Sequence, residues 1–182
     1  MPDTSLLQLI QTTADEIGFP SAVAIEQLRI ESGNFRPDVI YGPYIGNAGE
    51  RGLAQFIPAT WARFGNGDPY NPTNSMQAWQ RFIQYLANLF PGDLRKILQA
   101  YNGGEGNVQR NTVSSAAQNY ADKILRQAGQ NPPNNASQTF LDPELPTNSL
   151  SAFSIFGLSP VYSILLAAGI AGITLAVLSS RD

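Results

Sequence analysis

Charge is absent from residues 145–180, and this run constrains the chain more than any other feature of its sequence. Its second half, residues 161–178, is almost wholly apolar. At about 1.5 Å per residue, a helix of this length nearly matches a hydrocarbon core about 30 Å thick. We therefore predict a transmembrane helix over residues 153–178, embedded in a lipid bilayer. The alternative is a buried helical hairpin belonging to a soluble domain.

Two small residues within this span, Ala168 and Gly172, lie four positions apart and would let a second helix approach closely. The segment before the span, residues 129–152, is rich in Pro, Asn and Ser and is predicted to be an extended linker. The first residues lack the basic start of a signal peptide. We accordingly expect a folded domain over residues 1–128 and an anchor at the C-terminal end.

Composition narrows the chemistry that such a domain can perform. Charged residues make up 14% of the chain and the net charge is -3, so no basic excess is present to bind the phosphates of a nucleic acid. The chain has no cysteine and no histidine, which excludes disulfides, thiolate nucleophiles, Ser-His-Asp triads and the usual zinc sites. Catalysis would have to use carboxylates, hydroxyls and amides, and no metal or cofactor is implied.

Apolar residues recur at helical spacing through residues 1–128, without the sustained alternation that is typical of strands. We predict an all-α domain in which Ser21 and Asp93 cap helices and residues 36–53 form a long irregular stretch. Glycines or a Pro-Gly pair end several of the predicted helices: Gly18, Gly33, Gly65 and Pro91-Gly92.

One acidic residue, Glu31, differs from the others in its position. It falls in the last turn of a predicted helix, on the same face as Ala24 and Leu28. The negative end of the helix dipole and burial beside Leu28 both disfavour the ionised carboxylate and would raise its pKa. A general acid working near neutral pH needs such a pKa. The alternative is an ordinary solvated glutamate near a helix end.

Four segments follow in order along the chain: Glu31-Ser32-Gly33-Asn34-Phe35, Gly52-Leu53-Ala54-Gln55-Phe56-Ile57-Pro58-Ala59-Thr60-Trp61, Ala100-Tyr101-Asn102-Gly103-Gly104, and Tyr120-Ala121-Asp122-Lys123-Ile124-Leu125. Together they resemble the motifs of the lysozyme-like lytic transglycosylases, relatives of the goose-type lysozymes. The resemblance covers residues 19–126 and implies a lysozyme-like helical fold.

The resemblance also implies an activity. Enzymes of this family cleave the β-1,4 bond between N-acetylmuramic acid and N-acetylglucosamine in peptidoglycan and leave a 1,6-anhydro end. Glu31 matches their single catalytic glutamate, which acts first as acid and then as base, while the N-acetyl group of the substrate assists in place of a second carboxylate. No cofactor is implied.

Substrate contacts are implied for further residues in these motifs. The amide of Gln55 can donate to and accept from a sugar, with a cap for the helix at Pro58 as its structural alternative. Tyr101 offers a ring face for a sugar and a hydroxyl that could hold Glu31, with core packing as its alternative. The last three candidates for substrate contact also have structural alternatives. Ser32 could bond the backbone, Asn102 could form a turn, and Tyr120 could pack in the core.

Several positions depart from the family pattern. Ala54 stands where the family has Met, and residues 36–51 are longer than expected. The acidic helper that some relatives carry before the late Tyr has no counterpart, because residues 111–119 contain no Asp or Glu. Glu50 and Glu105 flank the motifs as candidate modulators or as solvated charges. Three aromatic residues are candidates for stacking on sugars: Tyr41, Tyr44 and Trp61.

Three functions stay open on these arguments: a membrane-anchored lytic transglycosylase, a hydrolytic muramidase of the same fold, and a non-catalytic wall-binding protein. The combination of a wall-degrading domain with a C-terminal anchor leads us to expect the internal membrane of a bacteriophage particle, where the enzyme would open the wall during genome delivery. The alternative is the bacterial inner membrane, with the domain facing the periplasm.

Overall fold

The structure, a computed structural model, describes residues 4–130, and every regular element in that range is a helix. The helices are α1 (Thr4–Glu16), α2 (Ser21–Glu31), α3 (Pro37–Ile40), α4 (Pro58–Phe64), α5 (Pro72–Leu89), α6 (Leu94–Gly103), α7 (Glu105–Gln109) and α8 (Ser115–Gln127). An isolated antiparallel bridge joins Arg51 to Phe56 just before α4. The prediction of an all-α domain is confirmed for these residues.

The longest helix, α5, carries a face that is buried in the core and contacts α1, α4 and α6. Its start is defined by Asn71, whose side chain accepts hydrogen bonds from the backbone amides of Thr73 and Asn74. Those amides have no partner within the helix, so the cap stabilises its first turn. The large buried side chains of this face recur every three or four residues: Met76, Trp79, Ile83 and Leu86.

The helices α6 and α8 pack unusually closely, at a glycine. A Cβ atom added to Gly103 would lie 2.9 Å from the Cβ atom of Ala117. Carbon atoms of neighbouring side chains do not normally approach so closely, so the packing needs a residue without a side chain at this position. Tyr120 lies one helical turn after Ala117, and α8 also contacts α2. The close approach of α6 and α8 therefore helps to set where Tyr120 meets the end of α2.

Details at the helix ends differ from the sequence-based expectations. Pro20 occupies the N-cap position of α2 and no side chain caps this helix, so Ser21 is its first helical residue and not its cap. Asp93 does cap α6, accepting from the backbone amide of Lys96 at 3.0 Å. The short helices α3 and α7 were not predicted, since four or five residues are too few to show helical periodicity.

Within residues 4–130, none of the helices is both long enough and apolar enough to cross a lipid bilayer. The predicted span over residues 153–178, with Ala168 and Gly172, lies outside the described residues. So does the predicted linker 129–152, apart from its first two residues.

Candidate active site

The chain turns sharply directly after Glu31, the last residue of α2. The Ser32 hydroxyl donates to the Leu28 carbonyl at 2.7 Å and accepts from the Phe35 backbone amide at 3.0 Å. Asn34 and Phe35 both adopt positive φ angles, 67° and 59°, which residues other than glycine rarely do. Strain of this kind persists where the surroundings enforce it, and it is concentrated at functional sites. The turn thus holds the end of α2 that carries Glu31.

The Glu31 carboxyl is only partly exposed, and its pKa is raised from 4.5 to about 7. Burial is the largest cause, because it disfavours the charged form. A hydrogen bond from Tyr120 lowers the pKa, and the negative charge of Glu50 raises it. The direction agrees with the sequence-based expectation for Glu31. Near neutral pH the carboxyl holds a proton in a large fraction of molecules and can also take one back.

Tyr120 on α8 reaches the same carboxyl. Its hydroxyl donates a hydrogen bond to Oε1 of Glu31. Burial, followed by the charge of Glu31, raises the pKa of Tyr120 well above its ordinary value, so the phenol keeps its proton. Because Oε1 accepts this hydrogen bond, Oε2 is the carboxyl oxygen left free to carry a proton.

A tight turn, residues 52–55, lies beside the site and is held from two directions. Gly52 has a φ of 71°, and a Cβ atom there would lie 1.9 Å from the carbonyl oxygen of Pro69, so only glycine fits. The backbone amide of Ala54 donates to the buried Ser75 hydroxyl at 3.1 Å. The Ala54 carbonyl accepts from the Tyr101 hydroxyl at 2.7 Å.

Tyr101 therefore connects the turn to α6 and does not bond Glu31, which corrects the expectation for its hydroxyl. Its ring packs against Phe56 and Phe82, with centroid distances of 5.8 and 5.3 Å. It nevertheless lies near the carboxyl, because the charge of Glu31, after burial, contributes to raising the pKa of Tyr101. The structure thus brings Glu31, Tyr120 and Tyr101 together from three helices.

The other predicted contact residues are placed differently. Gln55 lies in the turn before α4, at a φ of 49°, and its Nε2 donates to the Gly52 carbonyl at 2.8 Å. It does not cap α4, whose N-cap position is Ile57. Asn102 is exposed in the last turn of α6. Ser32 has no exposed surface and its hydroxyl bonds backbone on both sides, so a substrate could not reach it.

The three aromatic residues that were candidates for sugar stacking divide into two groups. Tyr41 and Tyr44, in the stretch between α3 and α4, are 55% and 39% exposed. Trp61 on α4 is partly buried and packs against Phe56 at a centroid distance of 6.4 Å. Tyr41 presents its ring to solvent, whereas the Arg36 guanidinium lies over the Tyr44 ring, 5.2 Å from its centroid. Within residues 4–130 no group of three or more acidic side chains is arranged to hold a metal ion.

Residues 8–124 match the model of the Transglycosylase SLT domain family. The chain belongs to this family. The matched range contains all the residues of the site described above. The family match and the four sequence motifs agree on the superfamily, and the match extends the assignment across nearly the whole helical part of the chain.

The fold of this SLT domain is similar to that of solved lytic transglycosylases. One is the 70-kDa soluble lytic transglycosylase of Escherichia coli, with a TM-score of 0.56 at 20% identity over 68% of this chain and 23% of that chain. A complex of the 70-kDa enzyme with bulgecin A gives 0.57 at 19% identity, with the same coverage. An inactive mutant of the lytic transglycosylase Slt of Pseudomonas aeruginosa gives 0.56 at 17% identity, over 73% and 25%. This chain spans about a quarter of their length.

One buried pair in the SLT domain was missed by sequence reasoning. Gln27 and Trp79 are both fully buried, and the Trp79 indole N–H donates to Oε1 of Gln27 at 3.2 Å. The signal was present, since Gln27 lies one turn before Glu31 on the face that also carries Ala24 and Leu28. A polar side chain on the buried face of a helix requires a partner, and the sequence alone does not name it.

Proposed function

We propose that this SLT domain is a peptidoglycan lytic transglycosylase and that Glu31 is its single acid and base. The observation that carries the proposal is a partly buried carboxyl with a pKa of about 7, oriented by Tyr120, in a chain that belongs to this family. A carboxyl with an ordinary pKa would be ionised at neutral pH and would have no proton to give.

In the first step Oε2 of Glu31 gives its proton to the oxygen of the β-1,4 bond between N-acetylmuramic acid and N-acetylglucosamine. The bond from that oxygen to C1 of the muramic acid breaks, and the N-acetylglucosamine leaves with a hydroxyl at C4. Positive charge develops at C1, where the carbonyl oxygen of the sugar's own N-acetyl group supports it. Glu31 is now an anion, and the Tyr120 hydroxyl stabilises that anion by its hydrogen bond.

In the second step the C6 hydroxyl of the muramic acid attacks C1. Its proton passes to Glu31, which is thereby restored, and the product carries a 1,6-anhydro ring. No water is consumed. A pKa near 7 suits both steps, because the same group must release a proton and then accept one.

Residues near Glu31 suit the recognition of sugars. Tyr101 supplies an aromatic ring beside the carboxyl, and the turn that it holds presents the Gln55 side chain. Tyr41 and Tyr44 are exposed on the stretch before α4, which also carries Glu50, and the Arg36 guanidinium lies over the ring of Tyr44. We propose Gln55 and Tyr101 as the substrate contacts of the SLT domain, with the two exposed tyrosines as outer contacts.

Digestion of purified peptidoglycan followed by mass spectrometry tests this proposal. We expect muropeptides with 1,6-anhydro ends, which are one water lighter than the products of hydrolysis. Glu31→Gln should reduce product formation by about 10² to 10⁴-fold, because it keeps the size of the side chain and removes its acid. Glu105→Gln is the matched control and should retain activity. Hydrated reducing ends would instead identify a muramidase, and undiminished lysis by Glu31→Gln would reject Glu31 as the acid.

We further propose that the enzyme is attached to a membrane through residues 153–178. The apolar, uncharged character of that segment supports this proposal. Sedimentation with lipid vesicles of the full chain, compared with a chain ending at residue 130, tests the attachment. Placement in the internal membrane of a phage particle stays a prediction, and immunodetection in purified particles before and after lipid extraction would test it.

A further inference from the structure

The amide of Gln27 is fully buried one helical turn before Glu31, and it interacts with both Trp79 and Tyr120. Its Oε1 accepts from the Trp79 indole at 3.2 Å. Its Nε2 has no solvent contact and makes no regular hydrogen bond within residues 4–130. The amide is nevertheless close enough to the Tyr120 hydroxyl to lower the pKa of that phenol, which is the effect of a donor facing the phenol oxygen.

The orientation of this amide follows from its partner. An indole N–H is only a donor, so the group that faces Trp79 must be the amide oxygen. Turning the Gln27 amide over would set two donors against each other in the core, where unsatisfied donors are destabilising. Trp79 is itself held by an edge contact with Phe19 at a centroid distance of 5.5 Å. The amide nitrogen of Gln27 is therefore the group left to face the phenol, in agreement with its lowering effect on the pKa of Tyr120.

This orientation limits how the Tyr120 hydroxyl can interact with Gln27. The nitrogen of a primary amide donates and does not accept, so the Tyr120 hydroxyl cannot donate to Gln27. Its hydrogen is left for Glu31, in agreement with the hydrogen bond to Oε1. The Trp79 indole thus donates to Gln27, and the Tyr120 hydroxyl donates to Glu31.

We propose that Gln27 is a positioning residue, which fixes the Tyr120 hydroxyl as a donor to Oε1 of Glu31 and so confines the carboxyl proton to Oε2. The inference rests on the proposed function, because Oε2 is the atom that delivers the proton to the glycosidic oxygen. The titratable groups that face Glu31 are Tyr120 on α8, Tyr101 on α6 and Glu50 in the stretch before α4. Among them, Tyr120 is the group on which Gln27 acts.

A double-mutant cycle on the full chain tests this role, with the pKa of Glu31 as the readout. The pKa is measured by ¹³C NMR titration of carboxyl-labelled glutamate, and the spectrum of Glu31→Gln assigns the signal. Gln27→Met keeps the length of the side chain and removes its amide. Without a donor at its oxygen, Tyr120 becomes a weaker donor to Glu31, so the pKa of Glu31 should rise. In the Tyr120→Phe background the same substitution should leave the pKa unchanged.

The matched control is Met76→Leu, a volume-conserving change at a buried position one turn before Trp79 on α5. It should leave the pKa of Glu31 where it is. An unchanged pKa in Gln27→Met, or an equal rise in both backgrounds, would overturn the proposal, since an equal rise reports only a less polar surrounding. If Gln27→Met does not fold, Trp79→Phe replaces it in the cycle, with the same two outcomes.

The double-mutant cycle measures a pKa and does not depend on catalysis. The positioning role of Gln27 and the proposed transglycosylase activity can therefore be rejected separately. The positioning role fails if the titration does not show the expected coupling, whatever products are formed. The proposed function fails if the wild-type chain releases no anhydro-ended muropeptides, whatever the titration shows. If both hold, the alkaline midpoint of kcat/KM should follow the NMR pKa across the series of variants.

Discussion

The Tyr120 hydroxyl donates to Oε1 of Glu31 and joins two helix positions that are 89 residues apart in the chain. One partner ends α2 and the other lies in the middle of α8. The contact links the first and the last of the four sequence motifs. Because Oε1 accepts from the phenol, Oε2 is the oxygen that delivers the proton in the proposed mechanism.

Removal of this hydroxyl should change the pH dependence of activity. In Tyr120→Phe the hydrogen bond that lowers the pKa of Glu31 is lost, so the alkaline midpoint of kcat/KM should move to higher pH. At the optimum we expect a loss of about tenfold to a hundredfold, because the carboxyl is less well oriented. The measurement is the pH profile of muropeptide release. Tyr85→Phe, which removes a hydroxyl bonded to Glu105, should leave the midpoint in place.

The charge of Glu50 should act on the same midpoint in the opposite direction. Glu50 raises the pKa of Glu31, so Glu50→Gln should lower that pKa and move the alkaline midpoint of kcat/KM to lower pH. The shift should shrink as salt is added, because salt screens charge interactions across partly exposed sites. Glu105→Gln removes one negative charge beside Arg63 and should not move the midpoint. A midpoint that is identical in Glu50→Gln and wild type at low salt would contradict this prediction.

Stability should depend on pH through Glu31. Its pKa is about 7 in the folded protein, against 4.5 for the ordinary group. Below pH 4.5 the carboxyl is protonated in both states and its contribution to stability is fully present. Between pH 4.5 and 7 the unfolded chain releases its proton first, so this contribution is lost as the pH rises, with an upper bound of about 3 kcal/mol.

Urea unfolding of wild type and Glu31→Gln across this pH range checks the prediction. The variant has no proton to lose at position 31, so the difference in unfolding free energy, wild type minus variant, should fall from pH 4.5 to 7. It should then stay constant above pH 7. A flat difference would show that the pKa of the carboxyl is ordinary, and a difference that rises with pH would show that folding lowers it.

The close packing of α6 on α8 should make Gly103 intolerant of a side chain. Gly103→Ala places a Cβ atom 2.9 Å from that of Ala117, so α8 must shift, and we expect a loss of about 1–3 kcal/mol. The Tyr120 hydrogen bond should weaken with it, and activity should fall further than stability alone explains. Unfolding midpoints and muropeptide release measure the two effects. In Gly106→Ala the new atom meets only the flexible end of Arg110, at 3.2 Å, so a small change is expected.

The sequence motifs predicted the position of some site residues but not the hydrogen-bond partners of their side chains. The Glu31 position, at the end of a helix and on its buried face, could be predicted from the apolar spacing around Ala24 and Leu28. Tyr101 was expected near Glu31 and does lie there, but its hydroxyl bonds Ala54. Sequence spacing places a side chain on a face, while the partner of its polar atom depends on which backbone the fold brings within 3 Å.

By itself the sequence determined the six longer helices, because apolar periodicity, glycine stops and the Asp93 cap are local properties of neighbouring residues. It also determined the family, because the four motifs are short contiguous segments that can be recognised in the sequence. Only the tertiary structure decided that Tyr120 bonds Glu31, that Ser32 turns inward to backbone, and that Trp79 orients Gln27. These contacts depend on the packing of helices that are distant in the chain, and burial and hydrogen-bond direction exist only once those helices have met.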